Sequence, residues 1–495
     1  MNRRRVFLAL TLTLTAAAGA AAAGAAAAKT VYFFDAFQHG NYLAGYRLPI
    51  HVVQQAAPGW NVVLTVWAMI VALACASAFF LRSLNGAARH ALPWLLGVQA
   101  ATAAVLTLFP IVQSGDMYAY VIYGRLYGHF GVNPYAITQP LSSADPVIGP
   151  ILQFLSSTPF SDPYGPLWTI AAGLLGRVES GASLGVAAWS FRATAVISLA
   201  VATAAIAYSL RSLGAESAAR RAGAFGLHPL VLYESAVGAH NDIMMLAPAL
   251  WSFAIADDLP LFAGLLAGAA IAIKLPAVIA LPFLLKRVAR KHGLGWIAAG
   301  AAALAVPWLC GRAFASAGGI GGNAALLGSA FSMSPDWLAN IPLYAARLSS
   351  GPALPWLPTL PMLGTASWPR LVQVATLAVF AIVAFVSVVR YIIRPRTGEL
   401  WRSYTAFLWS LSSMHPWYGE WLVPAVASGG AWGVYAWWYA ALLLGVYVLD
   451  GIAAPASLFW VPVAACVAFL VVPPIIVVCT RGRGTRILYG DERER

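Results

Sequence analysis

Apolar runs follow one another through almost the whole chain, from residues 6–28 near its start to 459–479 near its end, with only short polar or basic stretches between them. Such a chain has too little polar surface to close a soluble globule: 60% of its residues are hydrophobic, 9% are charged and its mean hydropathy is +0.75. It reads as an all-α, polytopic transmembrane helix bundle of about 13 to 14 membrane segments, several of them shorter than the ~20 residues of a full span. The short segments must tilt, sit in locally thinned lipid or be shielded by neighbours.

The formal charge of +13 is spread over Lys and Arg clusters between apolar runs, as at Arg220-Arg221, Lys286-Arg287 and Arg394 to Arg396. The positive-inside rule makes these cytoplasmic loops, so the charge is no signal for nucleic acid. Cys75, Cys310, Cys466 and Cys479 show no CxxC spacing and read as buried thiols rather than disulfides or metal ligands. Asn2-Arg3-Arg4-Arg5 before residues 6–28 marks an uncleaved signal anchor, with a cleaved signal peptide as the alternative.

Followed in order, this charge pattern places a membrane domain over 1–480, with a first outer loop at 113–165, a second at 312–370 and a cytoplasmic tail at 481–495. Leader, loops and tail apart, the expected segments run 60–81, 91–112, 185–210, 222–237, 243–256, 261–273, 275–285, 296–310, 371–393, 403–413, 422–434, 437–448 and 459–479. A partly inserted helix is expected from 164 to about 175. No internal repeat is found. All the polar tips, at Asp116, Asp162, His240 to Asp242, Lys274 and His415 to Glu420, fall on the face opposite the basic clusters.

Residues 113–168 form the first long polar, aromatic-rich interruption. Asp116 follows Gly115 where the chain leaves the membrane, which suits a catalytic carboxylate; the same position also suits a helix cap. Arg125, Lys274, His240 and His415 are the candidate partners for an anionic phosphate, Arg offering a planar fork and Lys a point charge. For Lys274 the alternative is snorkelling from a helix end, and for the two histidines a satisfied interfacial imidazole. Tyr118, Tyr123, Tyr164, Trp417 and Tyr418 can stack on a sugar ring or belong to the interfacial aromatic belt.

The order Gly115-Asp116 with Tyr118, Tyr123-Gly124-Arg125, Asn133-Pro134-Tyr135, Tyr164-Gly165-Pro166-Leu167, Gly238-Ala239-His240-Asn241-Asp242, Lys274-Leu275-Pro276 and His415-Pro416-Trp417-Tyr418 resembles the GT-C superfamily of integral membrane glycosyltransferases. Within it, the chain is similar to the bacterial polyprenyl-phosphate-mannose-dependent α-mannosyltransferases, over residues 113 to 427. The resemblance implies an inverting transfer of a hexose, mannose foremost, from a polyprenyl-phosphate sugar to a glycan or glycolipid at the extracytoplasmic face of the bacterial plasma membrane. It makes Asp116 the general base that takes the acceptor hydroxyl proton as the anomeric carbon gains positive charge. Asp162, Asn241 and Asp242 become supporting substrate contacts, with Glu420 standing where relatives are expected to carry an apolar residue. No cofactor is expected, and no ligand cluster for a divalent metal is visible. The alternatives are a transporter or flippase of a lipid-linked sugar, or a polymerase or ligase using a diphosphate-linked donor.

Overall fold

A computed structural model describes residues 72–77, 79–81, 91–107, 116–137, 144–152, 162–178, 181, 184–314, 364–411, 415–428 and 430–443. The leader segment at 6–28, nearly all of the second outer loop, the last apolar run and the tail lie outside the described residues. So do Gly115 and Met414. Among the described residues every element is helical and none is a strand.

In chain order the helices are α1 (Ala91–Leu106), α2 (Asp116–Gly128), the short α3 (Ile148–Leu152), α4 (Pro166–Val178), α5 (Leu184–Ser209), α6 (Ala215–Gly226), α7 (Pro229–Tyr233), α8 (Asn241–Ile255), α9 (Pro260–Ile273), α10 (Leu281–His292), α11 (Gly295–Arg312), α12 (Gly364–Ile393), α13 (Gly398–Ser410), the short α14 (Ala425–Ser428) and α15 (Gly430–Leu443). Two helices among the described residues are long and apolar enough to cross a bilayer, α5 over Leu184–Ser209 and the Val374–Ile393 part of α12. At 1.5 Å per residue, α5 reaches about 39 Å, beyond the ~30 Å of a hydrocarbon core. The apolar helices α1, α8 and α9 are shorter.

Expected boundaries move in several places, and the expected segment 275–285 becomes a 3-10 turn over Leu275–Ala280 followed by α10. The first outer loop contains a helix, α2, buried along almost all its length from Met117 to Leu126. Its Tyr, Val and Ile side chains give it apolar surface on every side, and such a helix belongs in a core. The expected segment 222–237 is broken at His228-Pro229, where proline lacks the N–H that would continue α6, and again at a single π turn over Glu234–Gly238. The expected segments 422–434 and 437–448 give way to a turn, α14 and one helix, α15.

Close crossings rest on glycine where helix backbones meet. A Cβ on Gly176 of α4 would lie 2.5 Å from the carbonyl carbon of Gly124 in α2, and one on Gly264 of α9 would lie 2.8 Å from the carbonyl carbon of Ala299 in α11. Small residues at such spacing let helices approach where lipid supplies no hydrophobic drive between them. A buried polar tie joins three more helices, Gln99 of α1 donating to Thr203 Oγ1 of α5 at 2.9 Å and to the Gly226 carbonyl of α6 at 2.8 Å.

The bundle has two chemically different poles. At one, Arg287 Nη2 meets Asp257 at 2.7 Å, Arg211 meets Asp258 at 3.2 Å, and His292 meets the Asp257 carbonyl at 2.9 Å. From there α9 runs to Lys274 at the other pole, where α8 also begins, at Asn241. Gly176→Val should lower the thermal midpoint of the detergent-solubilised protein, because backbone faces the new side chain and the overpacking costs about 1–3 kcal/mol. An unchanged midpoint would show that the α2–α4 crossing has slack.

Candidate functional site

Asp116 is the first residue of α2, and its side chain is 30% exposed. Facing it is His240, fully buried, with Nδ1 3.6 Å from Asp116 Oδ2. Burial alone would raise the Asp116 carboxyl, but the His240 contact and charge, with His415 and Lys274 beyond, outweigh it and hold the group at about 2. Asp116 is therefore an anion at neutral pH, open on one side.

Local backbone geometry presents His240. The π turn at Glu234–Gly238 ends in Ala239, whose φ of 54° places a non-glycine residue in the left-handed region. Such strained or bulged turns gather at functional sites. His240 N–H closes the turn on the Glu234 carbonyl at 3.1 Å, and its ring lies flat on Trp417, centroids 4.0 Å apart. Trp417 is stacked on its other partner, His415, at 4.4 Å. Burial pushes His415 down to about 4, so its imidazole is neutral at neutral pH.

Lys274, just past α9, donates to both Asp242 oxygens at 2.8 Å, and Trp421 Nε1 donates to Asp242 Oδ1 at 2.6 Å. Its ammonium also stands 5.2 Å from the Tyr418 ring centre and 5.9 Å from that of Tyr164. The ammonium is thus committed to an acid and walled by aromatic faces, which snorkelling to a helix end would not require. The Gly165 N–H on the Ile273 carbonyl, 3.0 Å, pins the Tyr164 loop beside it. Asn241 N–H donates to the Tyr120 hydroxyl at 3.3 Å, while both polar atoms of its amide are buried without a hydrogen-bond partner.

Other expected residues have different surroundings. Arg125 is buried and its Nε lies 2.9 Å from each oxygen of Asp145, a partner not paired with it from the sequence. Asp162 is fully buried, accepting from Tyr164 N–H at 2.9 Å and Thr169 Oγ1 at 2.7 Å, and so shapes the turn into α4. Burial raises its carboxyl to about 7 against the pull of those two donors. Tyr118 and Tyr123 are buried along α2 rather than displayed from a loop. Glu420 is fully buried with neither oxygen hydrogen-bonded; burial, then the nearby Asp242 and Glu234, push its carboxyl well up.

Two residues of the cluster were not singled out by sequence reasoning. By sequence, Trp421 is one of the aromatics beside polar motifs that can stack on a sugar ring, and Glu234 lies near the outer end of the expected segment 222–237. A lone acid in an apolar run, six residues before a histidine, is the signal that marked Glu234. No group of acids, histidines and cysteines among the described residues is arranged to hold a metal.

A family model described as alpha-(1->6)-mannopyranosyltransferase, N-terminal domain, matches residues 7–290. No curated protein and no solved structure matches the chain. The matched stretch contains Asp116, Glu234, His240, Asp242 and Lys274, while His415 to Trp421 lie beyond it.

Lys274→Met should destabilise the protein by about 3–5 kcal/mol, since it strands a buried carboxylate. Adding Asp242→Asn should recover part of that loss in thermal or denaturant unfolding. A double variant no more stable than Lys274→Met would show that the pair contributes no coupling.

Proposed function

Because this chain belongs to the alpha-(1->6)-mannopyranosyltransferase family, and is therefore a glycosyltransferase, we propose that it moves a hexose, mannose foremost, from a polyprenyl-phosphate sugar to a glycan or glycolipid acceptor, with inversion. Asp116 is the base in this reading. One observation carries that assignment: Asp162, Glu234, Asp242 and Glu420 are all fully buried, whereas Asp116 keeps 30% of its side chain exposed. Of these acids it is the one a hydroxyl can reach.

The step is a displacement at the anomeric carbon. The acceptor oxygen forms the new bond to that carbon as its proton passes to Asp116. The bond from the carbon to the phosphate oxygen breaks, and its electron pair leaves with the polyprenyl phosphate. Lys274 uses two hydrogen bonds on Asp242 and has three donors, so one is left to meet the leaving phosphate, assisted by His415 as a neutral donor. Tyr164 and Tyr418 flank Lys274 with flat faces suited to a sugar ring. Arg125 is left out of this phosphate site, because Asp145 engages its guanidinium.

In this reading the protein is a multi-pass plasma-membrane enzyme of about 13 to 14 segments, with residues 113–165 and 312–370 outside. The separation of the Asp116–Lys274 pole from the Arg211–Arg287 pole supports that orientation, because basic ends favour the cytoplasm. A lipid-linked donor suits a site built at a helix-bundle end.

The test is transfer of radiolabelled mannose from synthetic polyprenyl-phosphate mannose to membrane-extracted glycolipids, by purified protein beside its Asp116→Asn form. Transfer should fall by about 10²–10⁴-fold in the variant, the range of a general base. Activity within a few-fold of the unsubstituted protein would remove Asp116 from that role. No transfer from mannose, glucose or arabinose donors would remove the enzyme assignment to this donor class.

A further inference from the structure

The His240 ring has a carboxylate at each nitrogen. Nδ1 lies 3.6 Å from Asp116 Oδ2, and Nε2 lies 3.5 Å from Glu234 Oε2. The two acids differ in access, Asp116 being 30% exposed and Glu234 fully buried. The row therefore has an open end at the substrate side and a sealed end inside the bundle.

The backbone around this row is built to keep it. Glu234 opens the π turn, so its side chain leaves the helix ladder where one extra residue is accommodated. Gly238 leaves the room beneath: a Cβ there would lie 2.5 Å from His240 Cδ2 and 3.0 Å from Glu234 Oε2. Ala239 takes the left-handed conformation that brings His240 back over Glu234, and Trp417 covers the ring face. A sealed carboxylate is costly unless a donor or cation faces it. Here the imidazole nitrogen does.

We propose that Glu234 is a positioning residue for sugar transfer, holding His240 through Nε2 so that Nδ1 faces Asp116 as a donor, which keeps that carboxylate anionic and aims its open oxygen at the acceptor. This rests on the reading of Asp116 as base. The proton removed from the acceptor hydroxyl is taken up by the open oxygen of Asp116. The proton leaves to water as the products depart. The same logic orients the histidine of hydrolytic triads, where a buried carboxylate sets the tautomer and stabilises the imidazolium. Among the described residues, the groups that face or act on His240 include Asp116 on α2, Glu234 on the π turn and His415 before the turn into Trp421.

Glu234→Gln, which keeps the shape and removes the charge, tests this. In the mannose-transfer assay kcat should fall about 100-fold with the donor KM within twofold, comparable to the loss of other orienting partners. Glu234→Asp should restore part of the rate. Unchanged kcat overturns the proposal, as does a loss of activity that tracks lost thermal stability.

If Glu234→Gln does not accumulate, ¹⁵N NMR of histidine-labelled, unsubstituted protein decides, with His240 assigned by His240→Gln. A protonated Nδ1 is expected, and an Nδ1 without a proton overturns the arrangement. Transfer that needs Asp116 but not Glu234 rejects the positioning role alone. A protein that transfers from no polyprenyl-phosphate hexose rejects the underlying reading instead.

Discussion

The Asp242 carboxylate is the interaction on which the rest of this pole depends. It sits with no solvent access at the start of α8 and draws Lys274 from the end of α9 and the Trp421 indole from the turn after α13. Three segments distant in sequence are thereby fixed on one anion. In a low-dielectric interior such a pair is held in place mainly because the alternative, an unpaired buried charge, is so unfavourable. Once Lys274 is placed, the Ile273 carbonyl receives Gly165, and the Tyr164 loop lies against it.

The second row, Glu234, His240 and Asp116, is set beside the first by sequence proximity, since His240 precedes Asp242 by two residues. The two rows have different characters. The Asp242 row is closed by direct hydrogen bonds of 2.6–2.8 Å, whereas the imidazole contacts of the other row are 3.5 and 3.6 Å long. A short, satisfied network gives rigidity. The stack of His240, Trp417 and His415 joins the two, because Trp417 and Trp421 belong to one turn.

The scaffold beneath is packed to bring these ends together rather than to span evenly. Glycines at the α2–α4 and α9–α11 crossings let backbone meet backbone, and the short helices end where charged residues collect. The pole opposite is held by pairs such as Arg211 with Asp258, about half exposed and worth little individually. Conserving stability at that pole therefore falls to packing and not to its ion pairs.

The helical class was legible from the succession of apolar runs and the composition, because a chain with so little polar surface reads as a bundle of membrane helices. Legible too was the gathering of Asp116, His240, Asp242, Lys274 and the His415 to Tyr418 turn, since polar residues at the ends of apolar runs share a face whichever way each helix is rotated. Partner choice was not legible. Arg125 and Asp162 look as exposed in the sequence as Asp116 does, yet one is taken by Asp145 and the other by Tyr164 and Thr169. Glu234 looked like a boundary residue and is fully buried. The sequence by itself determined the element type, the membrane-like composition and which polar residues lie near the ends of apolar runs, because these follow from local chemistry. Only the tertiary structure decided which of those acids stays open and which histidine nitrogen faces which carboxylate, because those depend on helix rotation, a π turn and glycine-sized clearances between segments far apart in the chain.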